Sequence, residues 1–306
     1  NSYLNDMNYK YDVVVLTEDR YENPKEITPY VNNVILEDAL LFNALMSQGL
    51  KVGRFSWSNK DVNWNEVKSV VFRTTWDYFS RFKEFENWLQ SVQTHLQMFN
   101  PYELIHWNMD KIYLNEMKQK GVAIPPTYFI EKEDARSLKQ ITEQLPYSKY
   151  ILKPNVSGAA RHTYKLNDLN IDDHEDLFEL LIGDEPFMIQ EFQENILTKG
   201  EISLVIVDGK YTHAVLKKGL EDDFRVQDDF GGSVEIYEPN PDEITFAEKC
   251  IEVLDVKPLY ARVDLMWDNN NELVLSELEM IEPELWFRNC PEAAMKLAEG
   301  IKRELI

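Results

Sequence analysis

The segment from Tyr260 to Arg288 carries the densest set of chemically capable side chains in the chain. Arg262 and Asp264 sit on one apolar run, Glu277 and Glu279 on the next, and Asn269-Asn270-Asn271 lies between them. Asparagine tolerates positive φ, so the triplet reads as the turn of a hairpin. With Asn270-Asn271 as the turn, Asp264 pairs with Glu277 and Arg262 with Glu279. Residues two apart share a strand face, so one face of one hairpin would carry all four. Like charges directly opposed destabilise a sheet. A divalent cation removes that conflict, and an oxygen-only set suits Mg²⁺ or Mn²⁺. The lack of neighbouring His and Cys speaks against zinc. The alternative is a solvated strand face with an Arg salt bridge, and a different turn length would change the register.

Cations are the second requirement. The 306 residues contain 32 Lys and Arg against 54 Asp and Glu, a formal net charge of −22. Such a surface repels nucleic acid and anionic membranes, so a polyphosphate site has to gather its cations locally. Lys111 opens a helical stretch, where a phosphate would also meet the helix N-terminus. Lys153 ends the apolar run Tyr150-Ile151-Leu152 and precedes Pro154. Ser157-Gly158-Ala159-Ala160-Arg161 follows, a small-residue loop whose N–H groups could approach phosphates. Lys217 shares a strand face with His213 and Val215, and Arg225 lies in Asp223-Phe224-Arg225-Val226-Gln227. Each alone is ordinary surface charge; their order beside the acidic hairpin is the signal.

The elements that must position these groups follow from periodicity. Val13–Leu16 reads as a buried strand, Asp19 to Tyr30 as a polar loop, and residues 37–48 as a helix closed by Gly49. Lys51–Phe55 and Val70–Phe72 read as strands, with a helix from Phe82 to Leu96 behind them. This alternation predicts a parallel α/β sheet, in which ligands sit at the carboxyl ends of strands. Arg73-Thr74-Thr75-Trp76-Asp77-Tyr78 leaves such an end. A helix is expected from about Asp110 to Lys120. Beyond Pro125-Pro126-Thr127 the strands come as hairpins: Phe187–Gln190, Glu201–Val207, Tyr211–Lys217, Leu259–Trp267 and Leu273–Leu278. Asp208-Gly209 is a two-residue turn signal. Helices near 175–182, 241–254 and 291–305 intervene. The class is α/β in front and α+β behind, with boundaries expected at 1–104, 105–191 and 192–306.

Other chemistries lack their residues. There is no G-x-x-x-x-G-K-[ST] loop, no G-x-G-x-x-G after the first strand and no G-x-S-x-G elbow. Two cysteines, Cys250 and Cys290, cannot build a disulfide framework or a four-cysteine zinc site. A reducing, cytoplasmic setting is expected. No apolar run approaches the roughly 20 residues of a membrane helix. Met7 is a natural start if residues 1–6 are foreign.

Taken together, these residues resemble the ATP-grasp superfamily of D-alanine–D-alanine ligase, glutathione synthetase and the ribosomal-protein glutamate ligases. The resemblance covers roughly residues 100–306 and rests on six motifs in register. Asp110-Lys111 with Gly121-Val122-Ala123-Ile124-Pro125-Pro126-Thr127 is similar to the approach to the grasp domain. Ile151-Leu152-Lys153-Pro154 is similar to the strand whose Lys contacts ATP phosphate. Ile189-Gln190-Glu191-Phe192 is similar to the hinge over adenine, and Gly200-Glu201-Ile202-Ser203 to the strand whose Glu binds ribose. Arg262-Val263-Asp264 and Glu277-Leu278-Glu279 are similar to the phosphate Arg and the metal carboxylates. Thr75-Trp76-Asp77-Tyr78, Phe224-Arg225-Val226-Gln227 with Gly231-Gly232, and Ile281-Glu282-Pro283-Glu284-Leu285 look like the branch of the D-cycloserine-forming cyclo-ligase. Two departures stand out: the phosphate loop has one glycine, Gly158, and Glu279 stands where the D-alanine ligases have Asn.

The resemblance implies an ATP-dependent carboxylate–amine ligase with an ATP-grasp fold behind an α/β front domain. It implies ATP held by Lys111, Lys153, Ser157, Gly158, Arg161, Gln190, Glu191, Phe192 and Glu201. Two Mg²⁺ ions would sit on Asp264, Glu277 and Glu279. An acylphosphate would form in reach of Arg262 with Arg225 or Lys217, under a lid at 218–233. Arg73, Trp76, Asp77, Tyr78 and Arg288 are the expected substrate residues, since an Arg fork suits a carboxylate and an Asp an ammonium. Small-molecule substrates are the expected partners, and a homodimer is compatible with the family. Rival readings are an ATP-grasp kinase and a nucleotide-binding module without turnover.

Overall fold

A computed structural model of the protein describes residues 8–158, 160–226 and 231–306. The expectations placed on residues 1–6, on Ala159, on Gln227 and on part of the 218–233 loop lie outside the described residues.

Val13–Thr17 (β1) is buried at every position, as a strand covered on both faces must be. It is central in a four-stranded parallel sheet of order β2-β1-β3-β4, with Val52–Ser56 (β2), Ser69–Phe72 (β3) and Gln97–Phe99 (β4). Helices Pro29–Ser47 and Pro291–Glu304 pack together over one face. Helix Phe82–Val92 covers the other, with Phe85 and Leu89 against Trp57 and Phe72.

Three expectations change here. The helix predicted over 37–48 starts at Pro29, where Thr28 Oγ1 accepts from Val31 N at 3.2 Å. Proline fits that first position because its missing N–H has no intrahelical partner there. The added turns carry Glu37 and Asp38 onto the buried face. The helix predicted to Leu96 ends at Val92 and yields the edge strand β4. The single helix expected from Asp110 is two, Tyr102–Met109 and Tyr113–Gln119. Asp110 takes extended backbone between them, which places Lys111 at the elbow.

A second sheet, antiparallel and of order β5-β8-β6-β7, is built from Thr127–Ile130 (β5), Lys149–Pro154 (β6), Tyr164–Asn167 (β7) and Phe187–Glu191 (β8). Helix Glu175–Ile182 buries Phe178 and Ile182 against it. The third sheet has the order β11-β10-β9-β12-β13, with Glu201–Val207 (β9), Lys210–Lys218 (β10), Ser233–Tyr237 (β11), Tyr260–Trp267 (β12) and Leu273–Glu279 (β13). Asp208 and Gly209 both have positive φ, at 53° and 79°, as a two-residue hairpin turn demands. Helix Pro241–Glu252 opens with a reciprocal Asn240–Glu243 capping box and covers this sheet. Among the described residues no helix is long and apolar enough to cross a membrane.

Buried polar side chains knit the sheets together. Asn100, fully buried, donates to Tyr260 O at 2.9 Å and Met280 O at 2.7 Å and accepts from Leu259 N at 2.6 Å. Asn108 donates to Leu278 O and accepts from Met280 N, both at 2.8 Å, while Tyr113 Oη accepts from Leu278 N at 2.9 Å. These two side chains satisfy the free edge of β13, which would otherwise leave buried backbone groups unpaired. Asn108→Ala removes partners from one C=O and one N–H at once. It is expected to lower stability by about 2 kcal/mol, measured by urea denaturation; an unchanged midpoint would show that water replaces the amide.

Candidate active site

The site is built on the β12–β13 hairpin. Arg262 pairs with Glu279 and Asp264 with Glu277, as the sequence predicts. The turn itself differs. Leu265 pairs with Leu275 and Trp267 with Leu273, so the register near the turn is one residue shorter. The connection is the triplet 269–271, closed by hydrogen bonds from Asp268 N to Glu272 O and from Asn271 N to Asp268 O, with Asn271 at φ 62°. A bulge then leaves Ser276 without a cross-strand partner and restores the pairing of the acids. The bulged side chain reaches across β12 to β9, with Ser276 Oγ donating to Glu201 Oε2 at 2.8 Å.

Carboxylate oxygens of Asp264, Glu277 and Glu279 lie within 4.8 Å of one another. Cations hold this cluster together. Lys111 Nζ is 2.7 Å from Glu277 Oε1 and donates to Ser157 O at 2.9 Å. Arg262 grips Asp264 through two hydrogen bonds of 2.9 and 2.8 Å and also pairs with Glu279. Lys217 Nζ is 2.7 Å from Glu201 and 3.7 Å from Asp264. Asp264 is fully buried and also accepts from Ser203 Oγ at 2.6 Å. Glu277 and Glu279 are more open, with side chains 25% and 30% exposed.

Burial and neighbouring charge divide these acids. Against the upward pull of burial, the Lys111 and Lys153 ammonium groups hold Glu277 down at about 2. Burial pushes Glu279 up to about 8, with the Glu277 and Asp264 charges adding and Arg262 opposing. Burial also lowers Lys153. An all-oxygen donor set of this charge, with the more open pair foremost, is suited to Mg²⁺.

A cleft of about 950 Å³ lies over the hairpin, at the upper end of small-molecule sites of roughly 300–1,000 Å³. One end is apolar, walled by Ile151, Phe192, Ile196, Val226, Phe224 and Met266. Gln190 and Glu191 stand beside this end. The middle holds Lys111, Lys153, Ser157, Gly158, Glu201, Lys217, Arg225 and Arg262. Gly158 has no room for a Cβ, which would fall 2.7 Å from the Phe79 ring. Gly200, at φ 71°, likewise lets the chain pass Lys217 O, which a Cβ would meet at 2.2 Å, and so starts β9 with Glu201 in the cleft.

Five expected site residues do not line this cleft: Asp264, fully buried beneath it, and four that turn elsewhere. Arg73 is fully buried; its guanidinium donates to Pro283 O and Phe72 O and faces the Tyr260 and Phe287 rings at 5.4 and 5.6 Å. It is a strut beneath the site rather than an open fork. Tyr78 packs into the aromatic cluster with Phe85 and Phe79. Arg161 turns to Glu185 at 2.7 Å and Val156 O at 2.6 Å. Arg288 pairs with Glu284 at 2.8 Å, and only Glu284 lines the cleft. Trp76 and Asp77 do reach it.

The far end contains groups that sequence reasoning does not single out: Glu18, Arg20 and Tyr21 at and in the short helix Asp19–Glu22 after β1, Tyr30 in the first turn of the helix Pro29–Ser47, and Glu282 and Trp286 after β13. No spacing signal ties the first four to the hairpin, since only the folding of the front domain onto it brings them there. Glu282 lies in the motif Ile281–Leu285, where the resemblance gives it no role. The backbone around it is held from four directions. Trp76 Nε1 donates to Glu282 O at 2.9 Å, Arg73 to Pro283 O, and His213 Nε2 to Leu285 O at 2.6 Å. Glu37 accepts from Leu285 N at 2.9 Å and Phe287 N at 3.0 Å. Between these last two, Trp286 has left-handed backbone at φ 46°, a costly conformation for a bulky residue, and its ring faces the Arg262 guanidinium at 5.2 Å.

This architecture is that of the ATP-grasp proteins. The crystal structure of D-cycloserine synthetase DcsG superimposes with a TM-score of 0.84 at 19% identity, covering 96% of this chain and 99% of that one. D-alanine–D-alanine ligase from Bacillus anthracis complexed with ATP gives a TM-score of 0.63 at 14% identity over 95% of this chain and 96% of that one. A RimK domain ATP-grasp protein from Sphaerobacter thermophilus gives 0.66 at 13% identity over 94% and 98%. More particularly, residues 13–100 match the model of the N-terminal domain of D-cycloserine synthetase DcsG. The cycloserine biosynthesis protein DcsG of Streptomyces lavendulae is 22% identical over 276 residues, covering 87% of this chain and 92% of that protein. The chain has the ATP-grasp fold, and its similarity in sequence runs to D-cycloserine synthetase DcsG.

Because burial pushes Glu279 up to about 8, Mg²⁺ would have to displace a proton to use it below that pH. Mg²⁺ affinity, measured by titration calorimetry, is therefore expected to rise from about pH 6 to about pH 8 and then level, with proton release at the lower pH. An affinity independent of pH would remove Glu279 from the ligand set.

Proposed function

We propose that the protein is an ATP-dependent ligase that forms a C–N bond through an acylphosphate, acting on an amino acid, a short peptide or a related small metabolite. The observation that carries this reading is the joining of three parts in one cleft: an apolar slot, a row of cations and a cluster of acids on β12–β13. Adenine suits the slot between Ile151, Phe192, Val226 and Met266, with Gln190 and Glu191 at its polar edge and Glu201 near the ribose. The Lys153 ammonium makes no hydrogen bond or ion pair among the described residues, although the residue lines the cleft. An unpaired, burial-weakened ammonium is a ready phosphate receptor.

Glu277 and Glu279, with Asp264 behind them, would hold two Mg²⁺ ions. Bound there, the metal neutralises phosphate charge during in-line transfer. This chain's residues do the rest. Lys111 and Arg262 neutralise the acids in the free protein, and metal bound in their place frees both for phosphate oxygens. Arg262, backed by Trp286 and joined by Lys217 or Arg225, stabilises the charge as a substrate carboxylate attacks the γ-phosphate. Phe224, Arg225 and Val226 close the nucleotide end, and this closure excludes the water that would hydrolyse an acylphosphate. Trp76 and Asp77 are the substrate contacts retained from the sequence, and Arg73 acts on the substrate end from beneath.

The test is ADP release from Mg²⁺ and ATP across a panel of D- and L-amino acids, with hydroxylamine present to trap acylphosphate as hydroxamate. The expected result is ADP and hydroxamate in equal amounts, with kcat reduced roughly 10²- to 10³-fold in Glu277→Gln. A phosphorylated product without hydroxamate would make the protein a kinase instead.

A further inference from the structure

The charge inventory of the cleft singles out one residue. Six Lys and Arg side chains line it, and five of them are paired with carboxylates; Lys153 is the exception among the described residues. Nine carboxylates line it, and eight have a partner on another residue. In the metal and ribose region, Lys111 takes Glu277, Arg262 takes Glu279, Lys217 takes Glu201, and Asn269 Nδ2 reaches Glu191 at 3.4 Å. Toward the front domain, Arg20 takes Glu18, Arg81 takes Asp77 and Asp19, and Arg288 takes Glu284. Glu282 alone has no hydrogen bond or ion pair from its carboxylate to another residue among the described residues.

That isolation is built in. Trp76, Arg73, His213 and Glu37 fix the backbone from Glu282 to Phe287 through carbonyls and amides only, and none of them bonds the Glu282 carboxylate. The carboxylate is left to face the cleft three residues beyond Glu279. An unpartnered acceptor on the cleft wall, in the same lining as the metal acids and Trp76, leaves a place for a group that donates hydrogen bonds and carries positive charge. Glu282 is half-buried, and withdrawing part of a carboxylate from water without such a partner is costly.

We infer that Glu282 receives the ammonium group of the nitrogen nucleophile and takes its surplus proton as the C–N bond forms. The inference rests on the ligase reading above. In the step, the amine nitrogen bonds to the acyl carbon, the bond from that carbon to the phosphoryl oxygen breaks, and phosphate leaves with the electron pair. The ammonium loses two protons in becoming an amide N–H: the first passes to the Glu282 carboxylate and frees the nitrogen lone pair, and the second leaves with the departing phosphate. The nucleophile is thereby assigned to the primary amines that are protonated in solution. Asp77, the residue expected from sequence to hold an ammonium, is already committed to Trp57 Nε1 at 2.8 Å and Arg81 at 2.9 Å.

Hydroxylamine distinguishes the two halves of the reaction, because it is uncharged at neutral pH and needs neither an ammonium receptor nor a base. Wild type, Glu282→Gln and Glu282→Asp are compared with the amino acids of the panel above, first as acyl donors to hydroxylamine and then with the amino acids themselves as amine acceptors. Glu282→Gln is expected to keep hydroxamate formation and the KM for ATP within about twofold, and to lose about 10- to 100-fold in kcat/KM for the amine. Glu282→Asp should recover part of that loss. Equal loss of hydroxamate and amide would overturn the inference and make Glu282 a support of the phosphoryl-transfer site. Unchanged amide formation would also overturn it. A wild type that forms no hydroxamate from any acid would remove the ligase reading, and this inference with it.

Discussion

Three carboxylates within 4.8 Å cannot stay together without cations, and much of this molecule is arranged around that fact. The hairpin supplies the acids, and the bulge at Ser276 sets their register. Lys111 arrives from the elbow between two helices, Lys217 from β10, and Arg262 from the same strand as Asp264. Asn108 and Tyr113 close the outer edge of β13, so the strand bearing Glu277 and Glu279 cannot slide or fray. A salt-bridged cluster of this kind is poised for exchange. On the proposed reading, the ammonium and guanidinium groups that stabilise the acids would turn to phosphate oxygens where metal took their place.

The front domain acts on the same hairpin from the other side. Its contribution is a frame of buried polar side chains. Glu37 from the helix Pro29–Ser47, Arg73 from the end of β3 and Trp76 after it grip the segment that follows β13 by its backbone. Asn100, at the end of β4, ties in β12 and the end of β13 as well. Such groups are expensive to leave unpaired, so the two parts of the molecule are held in one geometry. The left-handed backbone of Trp286, held between the two amides that Glu37 accepts, is the local strain that this frame sustains.

Much of this is legible in the sequence. The apolar run Val13–Leu16, the Asp208-Gly209 turn and the helices near 175–182 and 291–305 follow from local rules. Pairing of Asp264 with Glu277 also follows, although the turn is not the one expected. The triplet turn shortens the register by one residue and the Ser276 bulge lengthens it by one, so the two departures cancel at the acids. What sequence does not supply is the state of each charge. Arg73, Arg161 and Arg288 read as open forks because a guanidinium in a loop carries no mark of its partner. Each is spent on a carbonyl or a carboxylate that lies distant or one turn away. Glu282 shows the converse: its significance lies in its carboxylate having no partner among the described residues, which is a property of three dimensions only.

A crystal structure of the protein with Mg²⁺ and a non-hydrolysable ATP analogue would test the exchange of cations most directly. The expected complex has adenine between Phe192 and Met266, metal bridging Glu277 and Glu279 to the phosphates, and Lys111 moved from Glu277 onto a phosphate oxygen. A nucleotide bound elsewhere, or one bound in the cleft with the Lys111–Glu277 pair intact and no metal on β13, would contradict it.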